Sequence, residues 1–81
     1  MKIRLRMFAV LKEVAGISEA EMELPAGATV GFAMEEIGRR FAKIAKMLPR
    51  TAAAVNRSYA GPAVQLHEGD ELALIPPVSG G

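Results

Sequence analysis

The chain closes with the stretch Glu71-Leu72-Ala73-Leu74-Ile75-Pro76-Pro77-Val78-Ser79-Gly80-Gly81. Its first half alternates as a β-strand does, which predicts that Leu72 and Leu74 face inward and that Ile75 faces outward with Ala73. Proline donates no backbone hydrogen bond, so we expect the sheet ladder to stop after Ile75. We therefore predict a folded domain over residues 1–75 and an extended, flexible C-terminal tail over residues 76–81.

The tip of this tail carries no side chains, because its last two residues are Gly80 and Gly81. Glycine has no Cβ and can pass a constriction that would block any larger residue. Six extended residues reach about 20 Å, which is enough to carry a terminal carboxylate into a pocket on another protein. We interpret Gly81 as the reactive residue, with a merely flexible chain end as the alternative.

Composition limits the possible classes of protein. The 81 residues, 51% hydrophobic and 23% charged, predict one small domain. A net charge of +1 gives no reason to expect nucleic acid or an anionic membrane as a partner. The chain has no cysteine, which excludes disulfides, thiolate metal sites and cysteine nucleophiles. No apolar run approaches the length of a spanning helix, and we expect a cytoplasmic protein.

The remaining sequence alternates between strand and helix patterns. Spacings of two indicate strands, whereas spacings of three and four indicate a helix. Thr29 is expected to cap the main helix and Pro49 to end it. In chain order we predict a strand over 2–10, a helical turn over 11–15, a strand over 20–24, a helix over 29–48, a strand over 52–56, an irregular segment over 59–66 and a strand over 71–75. This order predicts an α+β domain in which one main helix covers one face of a mixed sheet.

This order of elements, leading into a diglycine, resembles the ubiquitin-like β-grasp fold. Within that fold, three segments look like the small, MoaD-type sulfur carrier subunits of molybdopterin synthase. They are Ala54-Val55-Asn56, Glu68-Gly69-Asp70-Glu71 and, above all, Ile75-Pro76-Pro77-Val78-Ser79-Gly80-Gly81. The chain departs from the family at Leu74-Ile75, where an aromatic pair is common, which affects the detail of the partner contact.

The resemblance implies a function for the tail. An E1-like enzyme would adenylate Gly81 with ATP, and a sulfur donor protein would displace AMP to leave a thiocarboxylate. The large synthase subunit would then receive the tail and pass the sulfur to cyclic pyranopterin monophosphate, a step of molybdenum cofactor biosynthesis, within a heterotetramer. The catalytic side chains are expected on the large subunit, and no cofactor or metal is expected to bind this chain. The tail residues implied to contact the partner are Pro76, Pro77, Val78, Ser79 and Gly80.

Phe8 is a second candidate for partner binding. Strand alternation places it opposite the inward face of Ile3, Leu5 and Met7, so we expect it to be partly exposed. Since the first and last strands are neighbours in a β-grasp sheet, Phe8 and Ile75 are predicted to form one apolar patch. We hypothesise that this patch docks the large subunit and the activating enzyme. The alternative is a second small core beneath residues 59–66.

Other functions remain open at this stage. The same tip chemistry would serve a sulfur carrier for thiamine synthesis or tRNA thiolation, a ubiquitin-like modifier, or a binding module with an inert tail. His67 is interpreted as structural or exposed, because no second ligand or nucleophile is spaced to act with it. The basic residues Arg39, Arg40, Lys43 and Lys46 are interpreted as a solvated helix face rather than a nucleic-acid site.

Overall fold

The structure is a computed structural model that describes residues 1–77, so the predictions on Val78, Ser79, Gly80 and Gly81 lie outside the described residues. The sheet contains strands β1 to β5, and three helical segments connect them. The elements are β1 (Lys2–Met7), α1 (Ala9–Ala15), β2 (Glu19–Glu23), α2 (Val30–Arg40), a 3-10 helix (Ala42–Arg50), β3 (Ala52–Val55), β4 (Ser58–Ala60) and β5 (Glu71–Ile75).

The five strands form one mixed sheet in the order β2-β1-β5-β3-β4. β1 and β5 are parallel neighbours, with Met7 opposite Leu74, and the other pairs are antiparallel. The prediction that the first and last strands lie side by side is therefore confirmed. This pairing places the end of β5, and so the start of the tail, at the centre of one end of the sheet.

One hydrophobic core lies between the sheet and the helices. The inward residues of β1 and β5 are almost completely buried, as the alternation predicts, and α2 covers them through Val30, Ala33 and Ile37. The sheet residues of this core include Ile3, Leu5, Met7, Met22, Ala53, Leu72 and Leu74. Burial of these apolar side chains is the main favourable contribution to folding.

The predicted helix over residues 29–48 is wrong in its second half. Thr29 does cap α2, because its hydroxyl accepts a hydrogen bond from the amide of Phe32 at 3.2 Å. However, α2 ends at Arg40, and Phe41 has φ −119° and ψ 71°, outside the helical region. The chain then continues as the 3-10 helix, and Pro49, predicted to end the long helix, lies inside that element.

A close contact between the two helical segments explains this break. A Cβ on Gly38 would lie 3.3 Å from Cδ1 of Leu48, so the 3-10 helix folds back against α2. In one continuous helix, ten residues would separate these positions by about 15 Å along the axis. The break also allows Ile44 to be completely buried in the core.

The segment predicted as irregular over residues 59–66 contains part of a strand. β4 pairs with β3 across a two-residue turn in which Asn56 and Arg57 have φ of 49° and 71°. Two positive φ values are typical of the tight turns that connect paired strands, but Asn-Gly is the usual sequence signal and Asn-Arg is weaker. The chain then passes the start of α2, where Val64 O accepts from the amide of Val30 at 2.8 Å.

β1 is shorter than predicted, since it ends at Met7 rather than at residue 10. Phe8 keeps an extended backbone and forms the N-cap of α1. Ala9 follows with φ 50°, a left-handed value that alanine rarely adopts and that turns the chain into α1. The first helix is thus longer than the predicted turn, and it ends at Ala15, as predicted, with Gly16 as its C-cap.

Candidate functional site

The candidate site is the root of the tail, where β5 leaves the sheet. Ile75 is the last strand residue, it lies opposite Ala52 of β3, and it is half-buried. The ladder stops there, which confirms the prediction made from the two prolines. Pro76 is buried and Pro77 is exposed, so the predicted tail begins with one residue packed against the domain.

Phe8 lies beside this root. The parallel register ends with Met7 opposite Leu74, and its continuation by one residue brings Phe8 next to Ile75. Phe8 is 39% exposed, which confirms the partial exposure predicted from alternation. Its extended backbone, with φ −129° and ψ 160°, continues the strand geometry, so its side chain shares the outer face with Arg6.

Arg6 holds the Phe8 ring in place. Its guanidinium carbon lies 5.1 Å from the ring centroid, within the range of a cation–π contact. The same side chain is flanked by two carboxylates, that of Glu19 on β2 at 3.8 Å and that of Glu71 on β5 at 3.7 Å. The Arg6 Nε is buried and donates no hydrogen bond within the described part of the chain. Attraction to the two carboxylates therefore holds the Arg6 side chain, and no hydrogen bond from Nε to residues 1–77 contributes.

Sequence reasoning missed this role of Arg6. The available signal was the spacing of two between Arg6 and Phe8, which places both on one face of a strand. The partners of Arg6, however, come from other strands, and the sequence does not reveal which strand neighbours contribute the carboxylates.

Ala73 of β5 was predicted to face outward, yet it is buried. It lies opposite Arg6 on one side and Ala54 of β3 on the other. Both alanines are buried but lie outside the main core cluster, so they belong to the outer face. Ala73 is thus a small, buried residue on the outer face, next to the longer side chain of Arg6. We call Phe8, Ala73 and Ile75 the root patch.

The alternative explanation for Phe8, a second core beneath residues 59–66, is not supported. Leu66 of that segment belongs to the main core, and its amide donates to Ala28 O at 2.9 Å. Pro62 O accepts from the amide of Gly31 at 2.9 Å, which ties the segment to the start of α2. Residues 62–66 therefore pack on the helix side of the sheet, while Tyr59, opposite Ala54, is 77% exposed and forms no second core with the described residues.

His67 is exposed, and its Nδ1 lies 3.9 Å from the Asp70 carboxylate. That carboxylate accepts hydrogen bonds from the His67 amide at 2.8 Å and from Asn56 Nδ2 at 2.9 Å. Asn56 Oδ1 in turn accepts from the amide of Glu71 at 3.0 Å. These contacts tie the β3–β4 turn to the start of β5, so Asp70 has a structural role.

Two further features bear on the possible chemistry. Within residues 1–77, no three His, Asp or Glu side chains lie close enough together to hold a metal ion. The helices in that range are all too short or too polar to cross a membrane.

This chain matches a known protein family over nearly its full length. The profile of the ThiS family matches residues 5–81. The molybdopterin synthase sulfur carrier subunit of Chlamydomonas reinhardtii is 35% identical over 83 residues, and the match covers 100% of both chains.

Solved structures agree with this match. SAMP1, a small archaeal modifier protein from Haloferax volcanii, superposes with a TM-score of 0.90 at 29% identity and covers 100% of both chains. A complex of subunits 1 and 2 of molybdopterin-converting factor from Helicobacter pylori contains a chain with a TM-score of 0.73 at 23% identity, again over 100% of both chains. The predicted ubiquitin-like β-grasp fold is therefore confirmed.

Proposed function

We propose that this chain, which belongs to the ThiS family, is the sulfur carrier subunit of a molybdopterin synthase and carries its sulfur on Gly81. The observation that carries the proposal is the family match, which reaches from β1 through the diglycine at residues 80–81. Similarity over the full length to a molybdopterin synthase sulfur carrier subunit supports the same assignment.

The proposed reaction begins with activation of the C-terminal carboxylate. A carboxylate at neutral pH is ionised and a poor electrophile, so sulfur cannot displace its oxygen directly. An ATP-dependent, E1-like enzyme would transfer AMP from ATP to the Gly81 carboxylate, with release of pyrophosphate. Sulfide-level sulfur from a sulfur donor protein would then displace the AMP. The product is a thiocarboxylate on Gly81, and cyclic pyranopterin monophosphate is the proposed acceptor of its sulfur.

The domain contributes presentation rather than chemistry in this proposal. The ladder ends at Ile75 and Pro76 packs on the domain, so the tail starts from a fixed position at the centre of one end of the sheet. Proline at 76 and 77 restricts φ, which lowers the conformational entropy lost when a partner binds the tail. The nucleophiles, the metal ions and the general acids and bases are expected on the partner proteins.

The large synthase subunit is the proposed docking partner of the root patch. The Helicobacter pylori complex pairs a chain of this fold with subunit 2 of its converting factor. In the present chain, Phe8 and Ile75 lie beside the tail root, and the aromatic ring is held by Arg6. An aromatic side chain that is held in place beside the small residue Ala73 suits a central interface contact.

Intact mass spectrometry tests the sulfur carrier function. The chain is incubated with the adenylating enzyme, ATP and a sulfur source, and its mass is compared with that of a variant lacking Gly81. A gain equal to one sulfur in place of one oxygen, localised to Gly81 and absent in the variant, is expected. An unchanged mass with an enzyme that loads another carrier would contradict the proposal.

A ubiquitin-like modifier is the second candidate, because SAMP1 is a small archaeal modifier protein with a TM-score of 0.90 to this chain. A modifier would form an isopeptide bond between Gly81 and lysine side chains of other proteins. Tryptic peptide mapping of cellular proteins for lysines that carry residues 58–81 of this chain as a branch distinguishes the two functions, since a dedicated sulfur carrier leaves no such branch.

A further inference from the structure

Charge is strongly segregated along this chain. Residues 37–67 contain six of the ten Lys and Arg residues and none of the nine Asp and Glu residues. The segment covers the end of α2, the 3-10 helix, β3 and β4. The overall charge of +1 therefore conceals a basic stretch of sequence, and three of its cations, Lys43, Lys46 and Arg50, lie on the 3-10 helix.

Part of this basic charge is used inside the domain. Arg39 pairs with the Glu36 carboxylate, and Arg40 donates to the backbone oxygen of Glu21 at 3.0 Å. By contrast, Lys43, Lys46 and Arg50 are exposed, and no carboxylate of residues 1–77 lies within 4.0 Å of their cationic groups. We call these three residues the basic strip.

The geometry of the 3-10 helix aligns two of the three residues of the basic strip. In such a helix, side chains three residues apart lie directly above one another, so Lys43 and Lys46 project from the same side. The break at Phe41 also takes them off the α2 surface that carries Glu35 and Glu36. The helix pattern in the sequence already places Lys43 and Lys46 on one face, and the fold separates them from the acidic residues of α2.

The strip leads to the root of the tail. β3 and β5 are antiparallel, with Ala52 opposite Ile75. Arg50, the last residue of the 3-10 helix, precedes this pair by only two residues, so the basic strip ends close to the root of the tail. The root patch and the basic strip thus flank the beginning of the tail from different sides.

We propose that the basic strip is a second docking surface, which binds an acidic protein surface beside the site where a partner receives the tail. The inference rests on the proposed function, because it requires a protein that acts on the tail. Complementary charge at an interface mainly raises the association rate and selects the partner. The root patch would supply apolar contact area, and the strip would orient the tail toward the partner's active centre.

A nucleic acid is a poorer fit to the same surface. Three cations neutralise few phosphates, and the nine acidic residues elsewhere on the chain repel a polyanion. Base stacking also needs free aromatic faces, and the ring at the start of the 3-10 helix, that of Phe41, has the Arg40 guanidinium over one face at 5.1 Å.

The test uses two matched double variants of the full-length protein. Lys43→Glu/Lys46→Glu reverses the strip, and Lys2→Glu/Arg57→Glu makes the same change in net charge at the opposite end of the sheet. Association rates are measured with the adenylating enzyme and with the large subunit at low and high salt. For at least one partner we expect the strip variant to associate about tenfold more slowly at ~50 mM salt, with most of the difference lost at ~0.5 M.

Several outcomes would overturn the proposal. Equal effects of the two double variants would show only a response to net charge, and unchanged rates with both partners would show that the strip does not dock them. Tight, strip-dependent binding of a single-stranded oligonucleotide, with no effect on the proteins, would replace the proposal with a nucleic-acid site. Sulfur loading is measured in parallel. If the wild-type chain is not loaded, the proposed function is refuted. If it is loaded normally and the strip variant associates at the wild-type rate, only the docking role of the basic strip is refuted.

Discussion

Replacement of Phe8 by alanine gives the sharpest test of how this domain meets its partner. An aromatic side chain buries about 200 Å² when fully covered. Phe8 is 39% exposed, so a partner that covers it would remove about 80 Å² of additional apolar surface from water. At about 25 cal/mol per Å², this area corresponds to about 2 kcal/mol. Alanine keeps part of this contact, so we expect a loss of about 1–2 kcal/mol, or about 5- to 30-fold in Kd.

Phe32 offers a matched control, because it is the same residue type and is 40% exposed. It lies on α2, in the helix layer, whereas Phe8 lies beside the tail root. Isothermal titration of the large subunit with wild type, Phe8→Ala and Phe32→Ala compares the two positions directly. Only Phe8→Ala is expected to weaken binding.

The fold must survive for this comparison to be valid. Loss of the Arg6 cation–π contact is expected to cost stability by about 0.5–1 kcal/mol, which thermal unfolding measures. If folded Phe8→Ala binds within twofold of wild type, or if Phe32→Ala weakens binding equally, the assignment of the root patch as the docking surface is refuted.

Three further predictions concern the stability of the domain and are tested by urea unfolding. Thr29→Ala removes the cap of α2 and should cost about 1 kcal/mol, whereas Thr29→Ser should retain most of it; equal losses would argue against the cap. Gly31→Ala should be less stable than Gly38→Ala by about 1 kcal/mol or more. The new Cβ at Gly31 would meet the backbone oxygen of Pro62 at 3.2 Å, while that at Gly38 would meet only the end of a flexible leucine; the reverse order would contradict this packing. Ile44→Val should cost about 0.5–1.5 kcal/mol, since Ile44 is completely buried, and no loss would place it outside the core.

Much of the framework follows from local sequence. The alternation in β1 and β5 predicts their inward residues, because side chains of a strand point to opposite faces in turn. Thr29 marks the start of α2 through hydroxyl chemistry that acts within one helical turn. The prolines at 76 and 77 mark the end of the ladder because they cannot donate to it. The proposed chemistry of the tip likewise depends on the last few residues alone.

Only the tertiary structure decided which surfaces flank the tail. The helical spacing of apolar residues continues past Phe41, yet the packing of Leu48 against Gly38 breaks the helix and isolates the basic strip. The fixed position of Phe8 depends on Arg6 and on carboxylates from two other strands. Periodicity in a sequence records which side of an element is apolar, whereas these features arise from contacts between elements that are distant along the chain. For that reason the sequence alone determined the inward faces of β1 and β5, the helix cap and the end of the ladder, and the fold determined the break after α2, the strand β4 and the carboxylates that surround Arg6.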